Sequence, residues 1–266
     1  MGESGATNVL RPYDHGPFVE VPGSDSTQRQ LRRQAVWLKD SYRWLLKTKV
    51  MANISEGTRL SALDVGCGPG FVMDELRDDL RVSGVDMDSD MVTACTARGL
   101  DVSEASVYDL PHGDGDFDIV YCTFLMMWLD DPGSALAEMA RVSKGWVLCL
   151  AEPDFGARID HPEKLHGVRD LVVKGFRDRG ADPYMGRKLR ELYLSAGMTA
   201  DVGIHPGVWD VSRLRQEFPD EWSYVSRAAP DADPERMLKM REAWERALEM
   251  GTLLSFNPIF YALGSK

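Results

Sequence analysis

Residues 62–72 read ALDVGCGPGFV, an apolar run holding an aspartate and followed by glycines at 66, 68 and 70. Glycine at that density, directly after an apolar run, marks a backbone that must pass close to a ligand. The spacing narrows the choice of ligand. A phosphate loop needs GxxxxGK followed by Ser or Thr, and no such lysine follows Gly70. A dinucleotide fingerprint needs GxGxxG. Counted from Gly66 its third glycine falls on Phe71, and counted from Gly68 it falls on Met73. What remains is DxGxGxG, carried by Asp64, Gly66, Gly68 and Gly70.

Working outward, strand-like and helix-like segments alternate. RLSALDV, LRVSGVDM, LDVSEAS, FDIVYCTFL and GWVLCLAEP read as strands, with GFVMDELRDD, SDMVTACTARG and PGSALAEMARVS as the helices between them. That rhythm predicts βαβ units and a parallel sheet covered by helices on both faces. Upstream, Leu31, Ala35, Leu38, Tyr42 and Leu45 recur at helical steps within about 26–51, with Ser26 as the expected cap. Residues 1–25, rich in Gly, Pro, Ser and Asp, read as an irregular arm. After residue 152 the rhythm loosens into a helix near 163–179, a helix in MGRKLRELYLSAG, a strand in MTADVGIHPGVW and helix again over 211–250. The closing TLLSFNPIFYALGSK reads as a strand whose proline points to a bulge or an edge.

Composition removes several classes of function. With 31 basic against 42 acidic residues the net charge is −11, so the surface repels a polyanion and nucleic acid is disfavoured as a partner. Arg29, Arg32 and Arg33 make a local basic patch that reads as a solvated helix face. Cys67, Cys95, Cys122 and Cys149 stand singly, with no CxxC and no zinc-like spacing, so no metal site is expected and free thiols in a reducing, cytoplasmic setting fit. MGESGATNVL lacks the profile of a signal peptide, and the longest apolar run, FLMMWL at 124–129, is too short to span a bilayer.

Three further stretches follow the glycine turn in order. GVDMD (84–88) sets Asp86 at a strand end, 16 residues after Gly70, where the two acceptor oxygens of a carboxylate suit a vicinal diol. EASVYDLPHGDGDFDIV (104–120) is the second, and FDIVYCTFLMMWLDDPGSALAEMARVSKGWVLCLAEPD (117–154) the third. With DxGxGxG they resemble the class I S-adenosylmethionine-dependent methyltransferases, in the small-molecule, type 11-like branch.

The resemblance implies an α/β fold: a doubly wound, seven-stranded Rossmann-like sheet of order 3-2-1-4-5-7-6, strand 7 antiparallel, with helical lid insertions. It implies an N-terminal arm and cap helix over 1–55 and a cofactor-binding α/β domain over 56–210 and 251–266. Helical insertions fall at about 153–185 and at 211–250, the latter a lid. It also assigns a cofactor site for S-adenosylmethionine. Gly66, Cys67, Gly68 and Gly70 lie against the methionine part and ribose, and Asp64 helps position the methionine amino group through water or backbone. Asp86 accepts the ribose hydroxyls, and Met87 covers one face of the adenine. Ser106 and Val107 stand where the family reads the adenine edge, although the usual aspartate is replaced by Ser106. Thr123 ends the fourth strand. Leu125, Met126 and Met127 replace the family's histidine-containing stretch there, so no base comes from that position.

Methyl transfer from a sulfonium is an in-line displacement that needs alignment and exclusion of water more than acid–base power. The expected partner is a small-molecule acceptor, methylated at O, N, S or C. Tyr13, His15, His161, His166 and His205 are the available bases, each read more readily as structural, and no catalytic residue is assigned. DFGARIDHP (154–162) is placed to line the acceptor site, with Arg158 a candidate for an anionic acceptor. Met237, Met240, Trp244, Ala247 and Leu248 read as lid core, with Trp244 a secondary candidate for substrate contact. The alternatives are an enzyme of this fold that moves a group other than methyl, and a catalytically silent cofactor-binding subunit. An amino-methylating nucleic-acid motif is absent at the end of strand four, and the cysteines do not converge as a metalloid site requires.

Overall fold

The computed structural model describes residues 26–55, 57–207 and 211–266. The irregular arm, and with it Tyr13, His15 and the side chain of Ser26, lies outside the described residues. Helix α1 (Ser26–Leu45) runs on through a wider turn at Leu46–Val50. The periodic positions of α1 form its inner face: Ala35, Leu38, Tyr42 and Leu45 are buried.

Alternation then sets in as β1 (Ser61–Val65), α2 (Phe71–Leu76), β2 (Arg81–Asp86), α3 (Ser89–Ala97), β3 (Val102–Glu104), β4 (Phe117–Thr123), α4 (Pro132–Val142) and β5 (Ser143–Pro153). The helix starts have chemical causes. Asp88 caps α3 by accepting from the Asp90 N–H at 2.9 Å, and Asp131 caps α4 by accepting from the Ser134 N–H at 3.0 Å, with Pro132 at its first turn. The second half holds β6 (Ile159–His161), α5 (Gly167–Asp178), α6 (Met185–Ser195), β7 (Asp201–Ile204), α7 (Val211–Ala228), α8 (Pro234–Met250), β8 (Leu254–Phe256) and β9 (Ile259–Ser265).

Seven strands form one sheet of order β3-β2-β1-β4-β5-β9-β7, with β9 antiparallel to both of its neighbours. Counted among the sheet's own strands this is 3-2-1-4-5-7-6, the expected order. Two apolar cores cover its faces. One joins α1 and α2 to the sheet through Leu38, Leu45, Leu76, Ile119 and Leu148, and the other gathers α4 to α8 around Met139, Val168, Leu189 and Trp244.

Four elements differ from the expectation. The strand read at the end of the chain is two: Leu254–Phe256 pairs with β6 as a separate two-stranded sheet, and Pro258, which has no N–H to give a ladder, stands at the break before β9. The third strand shrinks to three residues and the sixth to four, as edge strands commonly do. The helical run over 211–250 is two helices, parted where Asp233 and Pro234 begin a new one.

Candidate active site

The glycine turn joins β1 to α2 at the carboxyl end of the sheet, on the side of β1 that faces β2. Its first residues are tied to β2, because the Gly66 and Cys67 N–H groups both donate to the Val85 carbonyl, at 2.8 and 3.0 Å. All three glycines hold positive φ, 70°, 51° and 73° for Gly66, Gly68 and Gly70. Their surroundings differ. A Cβ on Gly66 would lie 2.8 Å from Leu125, and one on Gly70 would lie 2.5 Å from Leu100 and 3.1 Å from the Cys95 sulfur. Those two glycines are required by the protein's own packing. Only above Gly68 is the space clear, with no atom within 4 Å. At Gly66 and Gly70 packing alone already demands glycine, whereas at Gly68 it does not.

Asp86 ends β2 facing this turn. Its Oδ2 accepts the Gly68 N–H at 2.7 Å and its Oδ1 accepts the Asp88 N–H at 3.0 Å, which fixes the carboxylate and leaves each oxygen one lone pair for a further donor. Met87 beside it is 80% exposed. Asp64 is buried, and no described group donates to either of its oxygens. Burial, with the nearby Asp86 charge adding to it, raises its pKa well above the ordinary carboxylate range. Ser106 is exposed, with its Oγ accepting from the Tyr108 N–H at 3.2 Å, and Val107 packs against the second core. Thr123 is partly exposed at the end of β4. Asp64, Gly66, Cys67, Gly68, Gly70 and Asp86 thus meet at the ends of β1 and β2, while Thr123 lies on the next strand over.

A second feature adjoins the ends of β4 and β5. A cleft there is walled by Trp37 and Arg33 of α1, by Phe124 and Phe155 beside the strand ends, and by Tyr224 and Trp244 of the two last helices. Phe124 holds φ 53°, a strained conformation for a bulky residue that is kept where the surroundings over-determine it, commonly at functional sites. In the sequence it opens the apolar FLMMW run at 124–128, which reads as core more readily than as acceptor pocket. Glu152, near the end of β5, was also missed. Fully buried, it accepts the Met126 and Met127 N–H groups, each at 3.1 Å, and so shapes the turn after β4. Burial pushes its pKa up to about 8. A glutamate inside the apolar strand WVLCLAEP was the available signal.

The base candidates separate cleanly. His161 and His166 are exposed and do not line the cleft. His205 is buried between Tyr42 and Tyr261, bonded through Nε2 to the Leu150 carbonyl at 2.6 Å, and burial lowers its pKa, so it is a neutral core residue. Arg158 does line the cleft, but not as a free cation. Asp160 takes it in two bonds of 2.8 and 3.0 Å, and Ser255 Oγ accepts a third at 3.0 Å.

A doubly wound sheet with one antiparallel strand, a glycine turn after β1 and an acid ending β2 define the class I methyltransferase architecture. Comparisons with known proteins agree. A family model described as a methyltransferase domain matches residues 63–149. Demethylmenaquinone methyltransferase of Bacillus pumilus is 29% identical over 72% of this chain and 90% of its own length. A protein from transposon TN4556 of Streptomyces fradiae is 32% identical over 52% of this chain and 43% of its own length. The chain spans about half the length of several curated relatives that it matches. Among solved structures, a methyltransferase candidate from Bacillus halodurans C-125 superposes with a TM-score of 0.53 at 17% identity, covering 82% of this chain and 96% of that one, a likeness of fold. Residues 63–149 of the chain thus match a methyltransferase domain, set on a sheet with the strand order of the Rossmann-like methyltransferases.

Proposed function

We propose that this chain transfers a methyl group from S-adenosylmethionine to a small-molecule acceptor held in the aromatic cleft. The observation that carries the reading is the pairing of a prepared carboxylate with clear space. Asp86, fixed by two backbone N–H groups and keeping a lone pair on each oxygen, stands beside the open face of Gly68. A vicinal diol can use both lone pairs, as a ribose would.

The residues that would hold the cofactor are Asp64, Gly66, Cys67, Gly68, Gly70, Asp86, Met87, Ser106, Val107 and Thr123. When bound, S-adenosylmethionine supplies an already activated methyl group. What remains for the protein is to align the acceptor and exclude water. Phe124, Phe155, Tyr224 and Trp244 provide an apolar wall for this, and helices α7 and α8 over 211–250 act as its lid. The demethylmenaquinone methyltransferase relative, whose name specifies a small-molecule acceptor, supports this class of substrate.

Isothermal titration with S-adenosylmethionine and S-adenosylhomocysteine tests the reading. Micromolar binding of both is expected, followed by S-adenosylhomocysteine release on a panel of small acceptors. No binding at submillimolar concentration would overturn it.

A further inference from the structure

The cleft beside β4 and β5 carries information about what it accepts. Two arginines stand in its wall, and both are consumed. Arg158 is held by Asp160 and Ser255, as described. Arg33 divides itself among three carboxylates of α7, reaching Glu217 at 2.6 Å, Asp220 at 3.2 Å and Glu221 at 3.0 Å. Two guanidiniums therefore face four carboxylates, which leaves two negative charges in excess. Arg179 and Arg227 stand outside the wall, Arg179 over the Phe176 ring and Arg227 bonded to Ser223 and Gln30. Among the described residues that line the cleft, an anionic ligand would meet no uncommitted arginine, which speaks against Arg158 as the partner of an anionic acceptor.

The wall also holds polar atoms without partners. The Nε1–H of Trp244, a residue only 1% exposed, meets no acceptor, and neither does a donor reach the buried Oδ1 of Asn257. Both residues line the cleft, as does Glu221, whose Oε1 takes Arg33 at 3.0 Å. Buried polar groups are almost always bonded, so orphaned ones lining a cavity call for a ligand with matching groups. Around them Trp37, Phe124, Phe155, Tyr224 and Trp244 line the cleft with aromatic surface; Arg158 already lies over Trp244 and Arg213 over Trp37, so these rings take cations.

Resting on the methyltransferase reading, we propose that the acceptor is an arylalkylamine, an aromatic or heteroaromatic ring that carries an ammonium on a short alkyl arm. Its nitrogen is received by the Glu221 carboxylate and Asn257 Oδ1, and a second polar atom accepts from Trp244 Nε1–H. Burial holds the Glu221 carboxyl above its ordinary range, although Arg33 and Arg158 both pull it down. A cation docked against it restores full ionisation, and an anion would meet repulsion instead.

The test uses the full chain and three probes that share one ring but differ in charge: tryptamine, tryptophol and indole-3-acetate. Each is titrated calorimetrically, with and without S-adenosylhomocysteine. Tryptamine is expected to bind at least about tenfold tighter than indole-3-acetate. Glu221→Gln should abolish the advantage of tryptamine over tryptophol while leaving tryptophol and S-adenosylhomocysteine binding unchanged, the latter confirming a folded variant. Carboxylate binding as tight as amine binding, an unmoved amine preference in Glu221→Gln, or no tryptamine binding at millimolar concentration would each overturn the proposal. If Glu221→Gln does not fold, the ranking of the three probes on the unaltered chain decides alone. Failure of S-adenosylhomocysteine to bind alongside an intact amine ranking would sink the methyl-transfer reading and not this one.

Discussion

The two halves of the site are built by opposite means. The glycine turn and Asp86 lie within 23 consecutive positions, 64–86, and are fixed by backbone hydrogen bonds between adjacent parallel strands. The cleft draws on α1, the strand ends, α7, α8 and the loop after β8, and its central ion pair joins Arg33 to Glu221 across 188 positions. A backbone-made site tolerates almost no change of residue type at its turns, because φ and clearance dictate them. A side-chain-made site can be redrawn by substitutions scattered over the whole chain. The first kind preserves a common donor and the second varies the acceptor, which is how one fold comes to serve many substrates.

The largest effect expected from this contrast is at Gly68. Gly68 and Gly99 both hold positive φ, 51° and 76°, and neither has an atom within 4 Å of a would-be Cβ. Valine at either position pays for the left-handed backbone by roughly 1–2 kcal/mol of stability. Gly68→Val should in addition lose S-adenosylhomocysteine affinity by more than about a hundredfold, since its side chain enters the space assigned to the cofactor, whereas Gly99→Val should keep it. Equal affinities in the two variants would show that the clear space above Gly68 holds no ligand. Next in size, Asp86→Ala should weaken the cofactor by about 2 kcal/mol, two lost charge-assisted hydrogen bonds, without changing the probe ranking in the cleft. A shift in that ranking would mean that the halves are coupled rather than separate.

The same contrast explains what could be read from the residues alone. DxGxGxG, Asp86 and the alternating strands were legible because local spacing dictates local backbone, and the sheet order followed from the resemblance those motifs carried. The reason for each glycine was not legible: that Gly66 and Gly70 answer to Leu125, Leu100 and Cys95 is a tertiary fact. Nor was the fate of Arg158. In DFGARID the carboxylate two residues on was in plain view, and strand alternation sets residues i and i+2 on one face. Nothing local, however, says that the guanidinium is spent there: Asp160 takes Arg158 in two bonds, and Ser255, 97 positions on, takes a third. Glu221 carried no motif at all, being one acid among several on an amphipathic helix.

Between the halves lies Glu152, whose effect is expected in pH dependence. Its folded pKa of about 8 stands above the 4.5 of an ordinary glutamate, so the folded state keeps a proton that the unfolded chain releases earlier. The stability this contributes is complete below about 4.5 and is lost as pH rises through about 8. The thermal midpoint of the unaltered protein should fall across that window relative to Glu152→Gln, which cannot titrate. Parallel profiles for the two proteins would show that Glu152 is ionised in the fold throughout. His205 bends the curve in the other direction: with its pKa lowered by burial, its contribution is present at neutral pH and lost on acidification.

The smallest effect separates the lid from everything beneath it. Arg33 joins α1 to α7 through three partly exposed carboxylates, and in water such pairs contribute little one by one. As a cluster they do more, because Arg33→Met removes the attraction and also leaves Glu217, Asp220 and Glu221 facing one another unscreened. A loss of about 1 kcal/mol in the docking of α7 follows, growing as salt is lowered, since repulsion among exposed charges is what salt screens. Amide hydrogen exchange should register it as faster exchange confined to α7 and the adjoining face of α1, with β1, β2 and the glycine turn unchanged. Cofactor affinity should stay as it was. Faster exchange reaching the glycine turn would mean that the lid and the cofactor half rise and fall together, and the division into a backbone-made and a side-chain-made region would fail at its most exposed joint.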